Sequence, residues 1–269
     1  MPEPELPDHI KQTLSELRGT NDLRAWSVIV TIMGDLAMKG GSPSTEGACS
    51  GATLTGLMSV LGIKPEATRV ALHRLRKDRW ITSTRTGRGA VHRLTDKGRI
   101  ETISAAKQIY GPGPETSGNW TLVIVPPHLA CTDRDARLLD QGFALIGRGV
   151  FLGEHLPQDA ERDSFLISRD RDLDIPDWVL SSLIPEAVAT DAQRLEHALS
   201  SVTPKMADAL PPTIRAALRV AILHQWRRIV LRLVPAFAEH QMKPSGLRNR
   251  VHTALEVLAP NEPLEIDEI

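Results

Sequence analysis

The sequence is poor in cysteine and in aromatic residues. It has 2 Cys, 1 Tyr and 4 Phe in 269 residues, and neither Cys49 nor Cys131 belongs to a CxxC pair or a Cys/His cluster. This spacing offers no ligand set for structural zinc and no disulfide framework. We therefore expect two reduced thiols, no metal and no cofactor.

Long apolar runs and enzyme motifs are also missing. No apolar stretch approaches the roughly 20 residues that a membrane-spanning helix needs. The acidic, proline-rich residues 1–9 lack the pattern of a signal peptide. No nucleophile elbow, HExxH motif or phosphate-binding P-loop occurs. We expect a cytoplasmic protein without a membrane partner that is not an enzyme.

Charge is distributed unevenly, although the net charge is only −1. Residues 20–107 contain 14 Lys or Arg against 7 Asp or Glu, whereas residues 108–269 contain 16 against 22. A basic segment joined to an acidic remainder is typical of a protein that binds a polyanion through one domain. An enzyme with a charged substrate could share this asymmetry, so it supports binding to nucleic acid without establishing it.

The basic segment contains the most informative pattern in the chain. A short apolar helix ends near Gly62, which can adopt a positive φ, and a second helix begins at Pro65, whose fixed φ suits a first helical position. Apolar positions recur with helical spacing and are predicted to form the buried face of this second helix: Ala67, Val70, Ala71 and Leu75. The remaining positions form a polar, cationic face that we expect to be exposed: Thr68, Arg69, His73, Arg76 and Lys77.

Two short strands follow this helix pair. Trp80-Ile81 begins the first, Thr86-Gly87-Arg88-Gly89 forms the turn, and residues 90–94 return. A helix pair followed by a basic hairpin is the pattern of a winged helix-turn-helix domain, whose second helix enters the major groove. Arg85 and Arg88 near the hairpin tip would contact backbone phosphate or the adjacent minor groove. Basic helices are often only solvated surfaces, but the turn, the cationic face and the basic hairpin together favour DNA binding.

The rest of the chain predicts two further domains, giving an α+β fold. Alternating glycine and proline at Gly111–Pro114 end the winged-helix domain, which spans residues 1–110. In residues 115–175 a strand, a helix and three short strands suggest a ferredoxin-like domain. Residues 176–269 are predicted to be a helical C-terminal domain. Its most apolar helix, around residues 212–233, could form a dimer interface or could close its own domain core.

Several stretches resemble the PaaX-type transcriptional repressors, the regulators of phenylacetic acid degradation, in the family's order. The resemblance is closest in RAWSVIVTIMGD, LGIKPEATRVALHRLRKDRW and HRLTDKG, and it continues in NWTLVIVP, GFALIGRGVFLG and, more weakly, HQWRRIVLR. It implies a winged helix, a ferredoxin-like middle domain and a helical C-terminal domain. It also implies a repressor that binds operator DNA as a homodimer and is released by an aryl-acyl-CoA, typically phenylacetyl-CoA.

The resemblance also suggests which residues act. Because the run VALHRLRKD matches directly, the family's DNA-contacting role carries over to Thr68, Arg69, His73, Arg74, Arg76 and Lys77. The chain lacks the acidic, proline-containing pattern expected after LVPAFAEH, which bears on the effector rather than on the repressor role. An anionic acyl-CoA requires arginine, although such arginines more often form ordinary salt bridges. The candidate effector contacts are Arg148, Trp226, Arg227 and Arg228.

Two other functions compete with this interpretation. A ferredoxin-like domain occurs in nucleases that hold a metal through an acidic residue at the end of the first strand, but here that strand ends Val125-Pro126-Pro127-His128. Asp133 and Asp135 lie at the start of a helix, where capping explains them. The second alternative is a DNA-binding protein that senses no ligand or that activates transcription. Loss of DNA binding on addition of an effector would distinguish a repressor from it.

Overall fold

The computed structural model describes residues 6–18, 23–39, 42–43, 48–87, 89–111, 119–126, 132–158, 162–170, 173–233 and 246–259. The chain is α+β with antiparallel sheets and divides into two compact units. Unit 1 comprises Met1–Tyr110, Thr190–Ile229 and Leu247–Ile269, and unit 2 comprises Gly111–Ala189 and Val230–Gly246. The division into three domains at 110/115 and 175/176 stays a prediction, and the last helices group with unit 1 rather than by themselves.

The N-terminal part of unit 1 alternates helices with short strands. Its elements are α1 (Asp8–Arg18), α2 (Ala25–Ala37), β1 (Met38–Lys39), β2 (Ser42–Pro43), β3 (Ala48–Ser50), α3 (Gly51–Val60), α4 (Pro65–Lys77), β4 (Ile81–Thr86), β5 (Gly89–Leu94) and α5 (Asp96–Tyr110). Later segments add α8 (Glu186–Leu199), α9 (Pro204–Asp208), α10 (Pro212–Val230) and α11 (Leu247–Val257). Thr95 caps α5 as its position suggests, because its Oγ1 accepts a hydrogen bond from Gly98 N at 3.1 Å.

A three-stranded antiparallel sheet has the order β3-β5-β4; β3 precedes the helix pair in the chain, and β4 and β5 follow it. β4 and β5 form the predicted hairpin, with Ile81 opposite Leu94 and Thr86 opposite Gly89. Small residues and glycine over residues 39–52 predict a flexible surface loop. This prediction was wrong at the end of the segment, where β3 pairs with β5. Ser50 then caps α3, since its Oγ accepts from Thr53 N at 3.0 Å. A three-residue strand among glycine and serine has too little apolar alternation to be recognised from sequence.

α10 lies in the core of unit 1. Its side chains at Ala217, Leu218, Ile222 and Trp226 have no exposed area. A buried hydrogen bond joins α10 to α2, between His224 Nδ1 and Thr31 Oγ1 at 2.9 Å. The apolar stripe is therefore buried within a single chain, which favours core packing over a dimer interface for this helix.

Unit 2 contains a four-stranded antiparallel sheet with the order β7-β8-β6-β9. The strands are β6 (Trp120–Ile124), β7 (Ala144–Gly147), β8 (Val150–Gly153) and β9 (Leu166–Asp170), accompanied by α6 (Thr132–Asp140) and α7 (Asp177–Leu183). One face of the sheet packs around Val123, Leu138, Phe143 and Phe151, all fully buried. The residues after Gly111 in the predicted boundary lie outside the described part of the chain, and the ferredoxin-like assignment stays a prediction.

Candidate nucleic-acid interface

The turn between α3 and α4 fixes where α4 begins. Gly62 has φ of +70°, and the backbone around it forms two reversed hydrogen bonds, Gly62 N to Ser59 O at 2.8 Å and Ile63 N to Met58 O at 2.8 Å. This is the Schellman arrangement, which favours glycine at the left-handed position. Pro65 then occupies the first turn of α4, so the predicted turn and helix start are both confirmed.

The buried face of α4 differs from the predicted one. Thr68, Ala71 and Leu75 are buried, whereas Ala67 is exposed and Val70 is 70% exposed. The prediction that Thr68 lies on the exposed face was wrong, because the spacing 68, 71, 75 also fits a helical stripe. Its hydroxyl donates to Lys64 O at 3.3 Å, and its burial removes it from the candidate base contacts.

The exposed face of α4 is a continuous cationic surface with one apolar side chain in it. We call this surface the cationic face; it consists of Arg69, Val70, His73, Arg74, Arg76 and Lys77, all exposed. Such a surface attracts phosphate and displaces the counterions condensed on nucleic acid. Val70 was predicted to be a core residue, and its exposure places a branched apolar group among the cations.

The arginines of the cationic face differ in how they are held. Arg69 pairs with Glu66 at 2.9 Å in full solvent contact. Arg74 is 3.6 Å from Asp78 and stacks over the Trp26 ring at 5.3 Å. Arg76 and Lys77 form no ion pair with any described residue, so their charges are the most available for a polyanion.

The end of α4 is held in a strained backbone conformation. Arg79 has φ of +56°, the only positive value at a non-glycine residue in the described part of the chain. Thr95 Oγ1 donates to Arg79 O at 2.6 Å, and Gly98 lies so close that an added Cβ would be 2.3 Å from Trp80 O. The start of α5 therefore holds the loop that leaves α4 and leads into β4.

The hairpin carries two described arginines, Arg85 on β4 and Arg93 on β5, and both are exposed. Gly87 makes the turn with φ of +54°. Arg88 lies outside the described residues, so its placement is untested. At the centre of the sheet, His92 Nδ1 is 2.8 Å from Ser83 Oγ. Burial lowers the pKa of His92, and the charge of Arg76 lowers it further.

A family model described as PaaX-like protein matches residues 24–98, the segment that contains the helix pair and the hairpin. In this segment the chain is similar to the PaaX family. The chain is also 33% identical over 97 residues to the transcriptional repressor PaaX of Escherichia coli (strain K12), an alignment that covers 35% of this chain and 31% of the repressor. The match thus spans about a third of that repressor's length.

The solved structure of the uncharacterized protein Rv0674 from Mycobacterium tuberculosis is similar to this chain. Its sequence identity is 18% and its TM-score is 0.48, over 86% of this chain and 94% of that chain.

The four candidate effector residues differ in burial and in their partners. Trp226 is fully buried and its Nε1 donates to Ile109 O at 2.8 Å, which removes it from the candidate contacts. Arg228 is 3.5 Å from Asp191, an ordinary salt bridge. Arg148 is exposed at the β7–β8 turn and belongs to unit 2. Arg227 is half-buried in unit 1 and bonds to a hydroxyl, that of Thr31, at 3.5 Å.

The described residues contain no group of three or more His, Cys, Asp or Glu that could hold a metal ion. They also contain no helix with the length and apolar character that crossing a membrane requires. Cys49 is a free, buried thiol whose burial raises its pKa to about 12. Cys131 lies outside the described residues.

Proposed function

We propose that the protein is a transcriptional repressor of the PaaX type whose unit 1 binds double-stranded operator DNA. The observation that carries this proposal is the cationic face of α4, which begins at a Schellman turn and is followed by a basic hairpin. This order of elements is that of a winged helix-turn-helix, and α4 is then the helix that enters the major groove. The family match over residues 24–98 supports the same conclusion.

The cationic face divides into positions suited to different parts of DNA. Arg69 and Val70 occupy the first half of α4 and His73 lies one turn further on; all three are exposed, which suits contacts with base edges. Arginine recognises guanine through two hydrogen bonds, and an apolar side chain fits against the thymine methyl group. Arg76, Lys77 and the hairpin residue Arg85 are assigned to phosphates, which provide affinity without sequence preference.

Binding to the DNA upstream of the gene should be measured by fluorescence anisotropy at several salt concentrations. We expect the Arg76→Ala, Lys77→Ala double variant to lose affinity for operator and random DNA alike. Its logarithmic salt dependence should fall by about 2 units, one for each lost phosphate contact. Lys205→Ala removes one exposed positive charge on α9; it is the control for a loss of charge away from α4 and should bind normally. An unchanged salt dependence in the double variant would reject α4 as the DNA-binding element.

The remaining parts of the proposal concern regulation. We propose that the protein is a homodimer, because operators recognised by paired helices are two-fold symmetric. We also propose that an aryl-acyl-CoA releases the protein from DNA and that the protein controls genes of aromatic-acid catabolism. The α10 stripe is buried, so the dimer would use another surface. Sedimentation equilibrium tests the assembly. DNA mobility shifts in the presence of phenylacetyl-CoA and of free CoA test the effector. Specific DNA binding that neither compound changes would reject the acyl-CoA effector.

A second candidate is a DNA-binding protein that activates transcription or senses no ligand. The same cationic face of α4 would serve it, so DNA affinity does not separate the two. A promoter-reporter measurement does: repression predicts higher expression when the gene is deleted, and activation predicts lower expression.

A further inference from the structure

A cavity of about 120 Å³ lies within unit 1 among α2, α5 and α10, and the DNA-binding proposal makes no use of it. Its volume is comparable to that of a cavity of roughly 150 Å³ that admits benzene. The apolar part of its wall consists of small and aliphatic residues: Val30, Gly34, Ala105, Ala106, Ile109 and Leu223. The wall is therefore suited to an apolar body of about six heavy atoms, the size of one benzene ring.

The two carboxylates in the cavity wall are already neutralised. Asp35 receives two hydrogen bonds from Arg219, at 2.7 and 2.8 Å, and a third from the Tyr110 hydroxyl at 2.9 Å. Glu101 pairs with Lys97 Nζ at 3.9 Å and also accepts a hydrogen bond from Trp80 Nε1 at 2.6 Å. Neither carboxylate is left to balance another cation in the wall.

Arg227 is the cation in the cavity wall that neither of these carboxylates neutralises. Among the described residues no carboxylate lies within salt-bridge distance of its guanidinium, which bonds to the Thr31 hydroxyl at 3.5 Å. The neighbouring His224 supplies no negative charge, and burial lowers the pKa of that imidazole to about 3. A half-buried guanidinium without an anion is costly, because desolvation disfavours its charge. Burial accordingly lowers the pKa of Arg227.

A second polar group in the wall also lacks a partner. Thr102 is 8% exposed, and its Oγ1 forms no hydrogen bond with any described residue. Buried hydroxyls are almost always hydrogen-bonded, so one without a partner needs an explanation. Arg227 and Thr102 line the same cavity and together provide a cationic and a neutral donor for one acceptor group.

We propose that this cavity binds a small organic monocarboxylate with an apolar body, its carboxylate directed to Arg227 and Thr102. The cavity volume admits a single ring or a short chain and excludes a nucleotide-sized group. The site is separate from the cationic face of α4 and is defined without reference to DNA.

One wall residue connects the site to α4. Trp80 lines the cavity, and its backbone N–H donates to Leu75 O at 2.9 Å, closing the C-terminal cap of α4. A ligand that contacts Trp80 therefore acts on the residue that ends the proposed DNA-contacting helix. If DNA binding is as proposed, ligand and DNA must alter each other's affinity by the same factor. This coupling rests on the proposed function, whereas the binding site does not.

Titration calorimetry of the full chain with benzoate, in the absence of DNA, tests the site. Benzoate matches the cavity in size and carries one carboxylate, and benzamide is its neutral analogue. We expect saturable binding of benzoate with one site per chain, and binding of benzamide weaker by at least about tenfold because the charged hydrogen bond is missing. No binding of benzoate, or equal binding of both, would overturn the proposal.

Three substitutions locate the binding. Arg227→Met should lower the affinity for benzoate by at least about tenfold. Thr102→Val keeps the shape and removes the unpartnered hydroxyl, so it should raise the melting temperature while weakening benzoate several-fold. Gly34→Ala adds a methyl group to the cavity wall, where its Cβ would meet Thr102 Cγ2 at an ordinary 3.6 Å. It should also raise the melting temperature, because alanine favours a helix interior, and weaken benzoate several-fold.

The stabilising variants keep the test decisive if Arg227→Met fails to fold. Normal benzoate affinity in both Gly34→Ala and Thr102→Val would place any binding outside this cavity and overturn the proposal. The coupling to DNA is tested by measuring DNA affinity by fluorescence anisotropy with and without saturating benzoate. A changed DNA affinity supports the coupling, and an unchanged one rejects it. An absence of DNA binding in both samples would count against the proposed function, because the calorimetry is independent of DNA.

Discussion

α4 and α10 have similar sequences and opposite environments. The run RVALHRLRK in α4 and the run RVAILHQWRR in α10 share an arginine-valine start, a central histidine and a basic end. In α4 the histidine and the arginines are exposed, whereas in α10 His224 is buried and Arg227 and Arg228 are half-buried. The difference follows from the residues between the cations, which are apolar around the whole of α10 and on one side of α4.

The comparison shows that a basic helix indicates a binding surface only when its cations are exposed and are not held by buried partners. Arg219 of α10 is held by Asp35 and by the carbonyl oxygen of Leu255, so its charge serves the fold. Arg76 of α4 has no such ion pair among the described residues, so its charge is available to a ligand. Substitutions in the two helices should therefore affect different properties, stability for α10 and binding for α4.

The largest expected effect is on stability, from Arg219→Ala in α10. The change leaves Asp35 ionised and mostly buried, since the two side chains are 15% and 13% exposed. Breaking such a pair by removing one partner costs about 3–5 kcal/mol of unfolding free energy, measurable by urea denaturation. The Arg219→Met, Asp35→Leu double variant removes both charges and should recover most of the loss. A loss below about 1 kcal/mol in Arg219→Ala would contradict the assignment of a structural role.

The next effect is on DNA specificity and concerns α4. We expect Arg69→Ala to reduce the discrimination between operator and random DNA by ~1–3 kcal/mol, as for loss of an arginine–guanine contact. Arg85→Ala in the hairpin should instead lower the affinity for operator DNA and for random DNA by a similar factor, as should Arg88→Ala. Competition anisotropy measures the ratio directly. Equal losses on both kinds of DNA for Arg69→Ala would remove the distinction between base and phosphate contacts.

Acid should destabilise the protein through the histidine of α10. Burial, followed by the charges of Arg227 and Arg228, lowers the pKa of His224 from 6.5 to about 3. Below pH 6.5 the unfolded chain gains a proton that the folded chain does not gain until about pH 3. Stability should fall with decreasing pH across this range, by up to about 1.4 kcal/mol per pH unit.

Thermal unfolding of wild type and His224→Gln between pH 8 and pH 4 checks this effect. Glutamine can still bond to Thr31 but does not titrate, so the variant should show a shallower decline below pH 6.5. The remaining slope should come partly from His92, whose pKa is also lowered. Parallel pH profiles of the two proteins would show that His224 is protonated in the folded state, contrary to its burial.

The smallest expected effect is on stability, from Arg74→Ala in α4. This arginine has a carboxylate and the Trp26 ring nearby, but its side chain is 63% exposed. Exposed ion pairs contribute about 0–1 kcal/mol, so urea denaturation should show a loss of less than about 1 kcal/mol. A loss as large as that of Arg219→Ala would mean that exposure does not separate the two helices.

Local signals in the sequence predicted the elements of the helix pair and hairpin well. Gly62, Pro65 and Thr95 each act through their own backbone or side-chain chemistry, so their roles are visible without a tertiary structure. The buried face of α4 was less predictable. Thr68 is buried and Val70 is exposed, the reverse of the prediction. Several buried faces are compatible with a short helix that has few apolar residues, and only the neighbouring elements determine which face is buried.

The sequence by itself determined the helix boundaries, the hairpin and the basic character of α4, because propensities, turns and charge are local properties. The tertiary structure alone decided that α10 is a core helix. From the sequence, its apolar stripe fits a dimer interface or a core equally well, and only the contact with α2 distinguishes the two. It also decided which arginines remain without partners. Arg219 lies 184 residues from Asp35 in the chain, and no spacing rule connects positions so far apart.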